Sequence, residues 1–161
     1  MTKAEFIALR KSEFPKTLKL LRFYPEEKKD LKPSPIIRTA IELATTFFNE
    51  EEINLSFART GAFDMMNLKW AQPPATMQEA VSRLEALAAE SDAALDRLSE
   101  EDFQKQSDGF GTKMPLSAVL LSLLLDHIHH RGQFTIYSRL AGAKVPQIYG
   151  PSADEPWQPP K

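Results

Sequence analysis

Residues 116–140, LSAVLLSLLLDHIHHRGQFTIYSRL, decide the fold. Leu116, Leu120, Leu123, His127, His130, Phe134 and Tyr137 recur at spacings of three and four, which puts them on one stripe of an α-helix. Pro115 suits the first turn of that helix and Gly142 its C-terminal stop. An apolar stripe this long has to be buried against other helices. Two histidines interrupt it one turn apart, with Asp126 on its flank and His129 pointing elsewhere.

The segments upstream supply the partners. Between about Lys3 and Phe23, the residues Phe6, Ile7, Leu9, Phe14, Leu18 and Leu21 predict a first helix, kinked or restarted at Pro15. A charged connector follows, carrying Pro25, Pro33 and Pro35. A second helix is predicted from near Ile36 to near Phe57, with Thr39, Leu43, Thr46, Glu50, Ile53 and Phe57 on its stripe. The loop from Arg59 to Ala75 holds Gly61, Met65, Met66, Trp70, Pro73 and Pro74, and its apolar residues are expected to fold back as a cover.

Thr76 and Glu79 fit a reciprocal capping box that opens a third helix. Its stripe, Met77, Val81, Leu84, Ala88, Leu95 and Leu98, is interrupted by Ser91 and stops in Ser99 to Asp102. Phe103 to Lys113, with Gly109 and Gly111, reads as a loop. From Val145 to Pro159, four prolines predict an extended tail that Ile148, Tyr149 and Trp157 can pin to the bundle or to a second subunit. No useful strand alternation and no repeat appear. The expectation is a single all-α domain over residues 1–161, a four-helix bundle with an extended C-terminal tail.

Composition agrees. The chain has 161 residues, 42% hydrophobic and 26% charged, enough for a domain to bury roughly 70% of its unfolded surface. Its 20 basic and 22 acidic residues leave a net charge of −2 with no basic stripe, which argues against nucleic acid as a partner. No uncharged apolar run is long enough for a membrane span, and the charged start predicts a cytoplasmic protein. There is no cysteine, so any reacting thiol must arrive with a substrate.

The candidate chemistry lies on the last helix. His127 with His130, or Asp126 with His130, aligns two donors for a divalent metal. Glu50, mid-stripe on the second helix, is the expected third ligand, and Thr46, one turn earlier, can hydrogen-bond a bound water. A structural alternative is that these histidines are hydrogen-bonded core residues while Glu50 or Asp126 pairs with Arg131. Gly132, costly inside a helix, predicts a close neighbour, and Gln133 and Arg139 read as solvated.

The run His129 to Phe134, then Tyr137, Arg139, Leu140, Gly142, Val145, Pro146 and Ile148 to Ser152, resembles the final helix and tail of the DinB-like superfamily. These are DinB/YfiT-type bundles related to bacillithiol and mycothiol transferases. Pro33, Pro35, Arg38, Thr39, Glu42 and Leu43 are similar to the family's second-helix entry, so the likeness covers nearly the whole chain. The resemblance implies a nickel or zinc ion held by one histidine of the second helix and a histidine pair of the last, with many members dimeric. Those positions fall on Thr46, Asp126 and His130, so only the last keeps its histidine.

Two functions are therefore expected as alternatives. One is a divalent-metal-dependent transferase or hydrolase acting on a small molecule or thiol conjugate, with a substituted ligand set drawn from Glu50, Asp126, His127 and His130. The other is a metal-free, non-enzymatic bundle that acts through homodimerisation or small-ligand binding in a stress response.

Overall fold

The computed structural model describes residues 1–63 and 69–157. Four long helices form the bundle: α1 (Lys3–Arg22), α2 (Ala40–Thr60), α3 (Met77–Arg97) and α5 (Leu116–Leu140). A short helix α4 (Glu100–Gln104) and an antiparallel pair, β1 (Gln106–Gly109) with β2 (Thr112–Pro115), join α3 to α5. The α2 helix packs most extensively on α3 and α5, and α1 lies against α3 and α5. No helix among the described residues is long and apolar enough to cross a membrane.

Helix starts follow local capping chemistry. In α1, α2 and α4 the pairs Thr2 and Glu5, Thr39 and Glu42, and Ser99 and Asp102 each form a complete reciprocal box. The box at Thr39 satisfies two orphan amides and so fixes the start of α2 at Ala40, later than the start near Ile36 expected from periodicity. Ile36 and Ile37 stay outside the helix and exposed. At α3, Thr76 accepts from the Glu79 amide at 3.0 Å, but Glu79 Oε2 accepts from Ala75 N rather than from the cap residue. The expected box is thus half made, because the carboxylate reaches one residue further back.

The predicted stripes are the buried faces. Leu116, Leu120, Leu123, His127, Phe134 and Tyr137 are buried on α5, and Leu43, Glu50, Ile53 and Phe57 on α2. Met77, Val81, Leu84, Ala88, Ser91 and Leu95 do the same on α3. Pro15 lies within α1, which continues through it without a restart.

The segment 103–113, expected as a loop, is ordered differently. Phe103 is buried within α4, and Phe110 (φ 59°) with Gly111 (φ 85°) forms the two-residue turn of a hairpin. Two positive φ angles give the turn the twist that paired strands need. Its four-residue strands are too short for an alternation signal. Gly109 is required by packing, since a Cβ there would lie 2.9 Å from Met114 and Val119 side-chain atoms. Gly132 differs from expectation, because among the described residues a Cβ there would meet no atom within 4 Å.

The tail is tied down by polar contacts. Arg139 pairs with Asp154 at 2.6 Å, Lys19 with Glu155 at 3.2 Å, and Val145 is buried. Trp157 is exposed, while Met65, Met66 and Pro159 lie outside the described residues.

Candidate functional site

Near mid-length of the bundle, α2 and α5 bring together Glu50, Asp126 and His130. One donor atom from each lies within 4.8 Å of the others. His130 Nδ1 is 2.6 Å from Glu50 Oε1 and 3.7 Å from Asp126 Oδ2. Glu50 is 5% exposed, His130 is partly buried and Asp126 is open to solvent. Asp126 and His130 reach the same place because four residues separate them on one helix face.

The three side chains line a cleft of about 570 Å³, which Arg38, Thr46, Asn49, Trp70, Phe110 and Leu123 also border. Trp70 is 58% exposed and Phe110 49%, so two aromatic rings stand half free at its mouth. Ala71 N donates to Asn49 Oδ1 at 2.8 Å and fastens the Trp70 loop to α2. Arg38 donates to Thr46 Oγ1 at the edge of the cleft. A second cleft of about 470 Å³, lined by Ile36, Ile37, Ile136 and Tyr137, shares Arg38 and His130 with the first.

Hydrogen bonding to Glu50 raises the His130 pKa. Burial opposes this, the charges of Glu50 and Asp126 support it, and Arg38 works against it.

His127 lies one layer deeper. It stacks on Phe14 with centroids 4.6 Å apart, and its Nε2 is 2.8 Å from Thr17 Oγ1. Its Nδ1 is 3.2 Å from Glu50 Oε2, without hydrogen-bond alignment. Both atoms are buried and, among the described residues, neither has a hydrogen-bond partner.

Arg131 departs from expectation. Its guanidinium, 1% exposed, pairs with Glu13 across the core and touches the Tyr149 hydroxyl, so neither Glu50 nor Asp126 is its partner. The geometry follows from the turn, since Arg131 sits one residue beyond His130 and faces α1. Gln133 and Arg139 are exposed, as expected, while Gln133 also bonds His129 and Arg139 holds the tail through Asp154.

The donor set suits a divalent metal. It offers one imidazole nitrogen and two carboxylates at the wall of the cleft, donor types that could hold such an ion. Neighbouring ligands on a tetrahedral zinc stand about 3.3 Å apart, given bond lengths near 2.0–2.1 Å. The His130 and Asp126 pair already spans a similar distance. The His130 and Glu50 pair would have to lose the proton between them and separate by about 0.7 Å, the difference from that ligand spacing.

Sequence patterning singles out Glu50, Asp126, His127, His130 and Thr46 as candidates, and the structure places all five in one region. Glu50, Asp126 and His130 form the converging group, Thr46 lines the cleft beside them and holds Arg38, and His127 backs Glu50. Phe110 was missed. The two glycines flanking it were the available signal, because they mark a tight hairpin that carries an aromatic ring to the cleft.

Comparison with known proteins places these features in context. The model of the DinB family matches residues 51–160. Among curated proteins, the chain is 39% identical over 57 residues to "Uncharacterized protein YrdA" of Bacillus subtilis (strain 168), covering 35% of this chain. That match spans only 34% of the relative's length. Among solved structures, a DinB-like protein from Bacillus cereus ATCC 10987 superimposes with a TM-score of 0.77 at 25% identity, over 92% of this chain and 98% of that one. The DinB-like protein YjoA from Bacillus subtilis gives a TM-score of 0.75 at 19% identity, over 90% and 96% of the two chains.

Proposed function

We propose, for a chain that belongs to the DinB family, that Glu50, Asp126 and His130 hold a divalent metal, nickel or zinc, at the floor of a small-molecule cleft. The observation that carries this is the convergence of three donor atoms within 4.8 Å at the wall of that cleft. In this role the chain is a transferase or hydrolase acting on a small molecule or thiol conjugate. The metal supplies Lewis acidity toward an oxygen or sulfur of the bound molecule.

The protein's own groups do the rest. Arg38 can receive an anionic group of the ligand, and Trp70 and Phe110 offer flat apolar surface to its body. His130 Nδ1 shares a proton with Glu50 Oε1, and would have to give it up to serve as a metal ligand. Elemental analysis of protein purified without a histidine tag or chelator tests this reading. One nickel or zinc per chain is expected, falling to a background level in His130→Ala. Metal-free wild-type protein that also takes up none on dialysis against zinc contradicts it.

The direct His130 to Glu50 hydrogen bond favours one second reading, a metal-free cleft that binds a ligand without turnover. The same elemental analysis separates the two. We also propose a homodimer, supported by the exposed Ile36, Ile37 and Ile136 that line the second cleft. Sedimentation as a monomer would contradict it.

A further inference from the structure

Behind the cleft, polar side chains run through the core from Glu50 to the C-terminal tail. Glu50 Oε2 faces His127 Nδ1 at 3.2 Å. His127 Nε2 meets Thr17 Oγ1 at 2.8 Å, and Arg131 Nη1 lies 3.5 Å from the same oxygen and 3.0 Å from the Glu13 carbonyl. Arg131 Nη2 bonds Glu13 Oε2, which also accepts from the Tyr149 hydroxyl at 2.6 Å. Three helices supply the chain, with Thr17 and Glu13 on α1, Glu50 on α2, and His127 and Arg131 on α5.

Donor and acceptor chemistry orients it. Arginine only donates, so Thr17 Oγ1 accepts from Arg131, and among the described residues His127 Nε2 is the one acceptor within hydrogen-bond reach of the buried Thr17 hydroxyl, so its proton turns there. An imidazole that accepts at Nε2 carries its proton on Nδ1. At the other end a carboxylate oxygen only accepts, so an unprotonated Nδ1 facing Glu50 Oε2 would set two lone pairs against each other. Both ends demand the same tautomer. Phe14 and Phe47, with centroids 4.6 and 4.7 Å from the imidazole, hold its plane, and no room remains for a ligand because the adjoining void is about 10 Å³.

We infer that His127 is a positioning residue, fixed as the Nδ1–H tautomer by Thr17 and Arg131, that turns its N–H toward Glu50 Oε2 across 3.2 Å, an attraction without full hydrogen-bond alignment, and thereby favours the carboxylate orientation that aims Oε1 at the cleft. It is not a member of the converging donor group. Its consequence for the metal rests on the proposed function, whereas its tautomer does not. Partners that orient a metal ligand typically change affinity 10–100-fold when removed.

The test has two arms. Nitrogen-15 NMR of the imidazole rings in metal-free wild-type protein should place the His127 proton on Nδ1; a proton on Nε2 overturns the inference. In the second arm, zinc affinity is measured for Thr17→Val and Thr17→Ser. Valine keeps the shape and removes the hydroxyl, so zinc binding should weaken tenfold or more, while serine restores it. Equal affinities in folded Thr17→Val and Thr17→Ser overturn the inference. If wild-type protein binds no zinc, the proposed function fails and the NMR arm alone decides this one. Should Thr17→Val not fold, the same arm decides.

Discussion

Glu13→Gln is the most informative stability test. Glu13 is buried between α1 and α5, and burial alone would raise its pKa. Hydrogen bonds from Lys16, Tyr149 and Arg131, together with the Arg131 charge, outweigh burial and hold the carboxyl at about 2 instead of 4.5. A depression of that size corresponds to about 3 kcal/mol at neutral pH. Because the folded pKa lies below the unfolded one, this stability is present above pH 4.5 and is lost as pH falls toward 2. Urea unfolding of wild type and Glu13→Gln at pH 7 and pH 3 measures it. Glutamine should cost about 3 kcal/mol at pH 7, since Arg131 is left buried without its carboxylate, and the gap should narrow by at least 1 kcal/mol at pH 3. A constant gap across that range would refute the coupling of Glu13 ionisation to the fold.

Two further substitutions probe the scaffold. Gly132→Ala should stabilise the protein by about 1 kcal/mol, since the helix gains propensity and the new Cβ meets nothing within 4 Å; a loss of stability in urea unfolding would mean that a neighbour does approach there. Thr76→Ala should cost about 1 kcal/mol by removing the α3 cap, and an unchanged urea midpoint would show that the Glu79 bond to Ala75 suffices alone.

The helices were legible because each long one carries an apolar stripe that has only one way to be buried, as the α5 series from Leu116 to Tyr137 shows. The α2 boundary was harder. Periodicity extends past the true start, and the capping box at Thr39 and Glu42 overrides it. The hairpin was hidden because its strands are four residues each and its turn depends on a phenylalanine at positive φ. In the site, spacing alone allowed either Asp126 or His127 to join His130. Tertiary packing separates them, because His127 is drawn between Phe14 and Phe47 toward Thr17 while Asp126 stays at the cleft. No sequence signal announced that Arg131 would find Glu13, which lies 118 residues away.

Equilibrium dialysis against zinc, comparing wild type with Glu50→Gln and His130→Ala, tests the central claim most directly. One ion per wild-type chain, with at least a tenfold loss of affinity in each variant, is the predicted result. Zinc binding unchanged by either substitution, or no binding by the wild type, would contradict a metal centre at Glu50, Asp126 and His130.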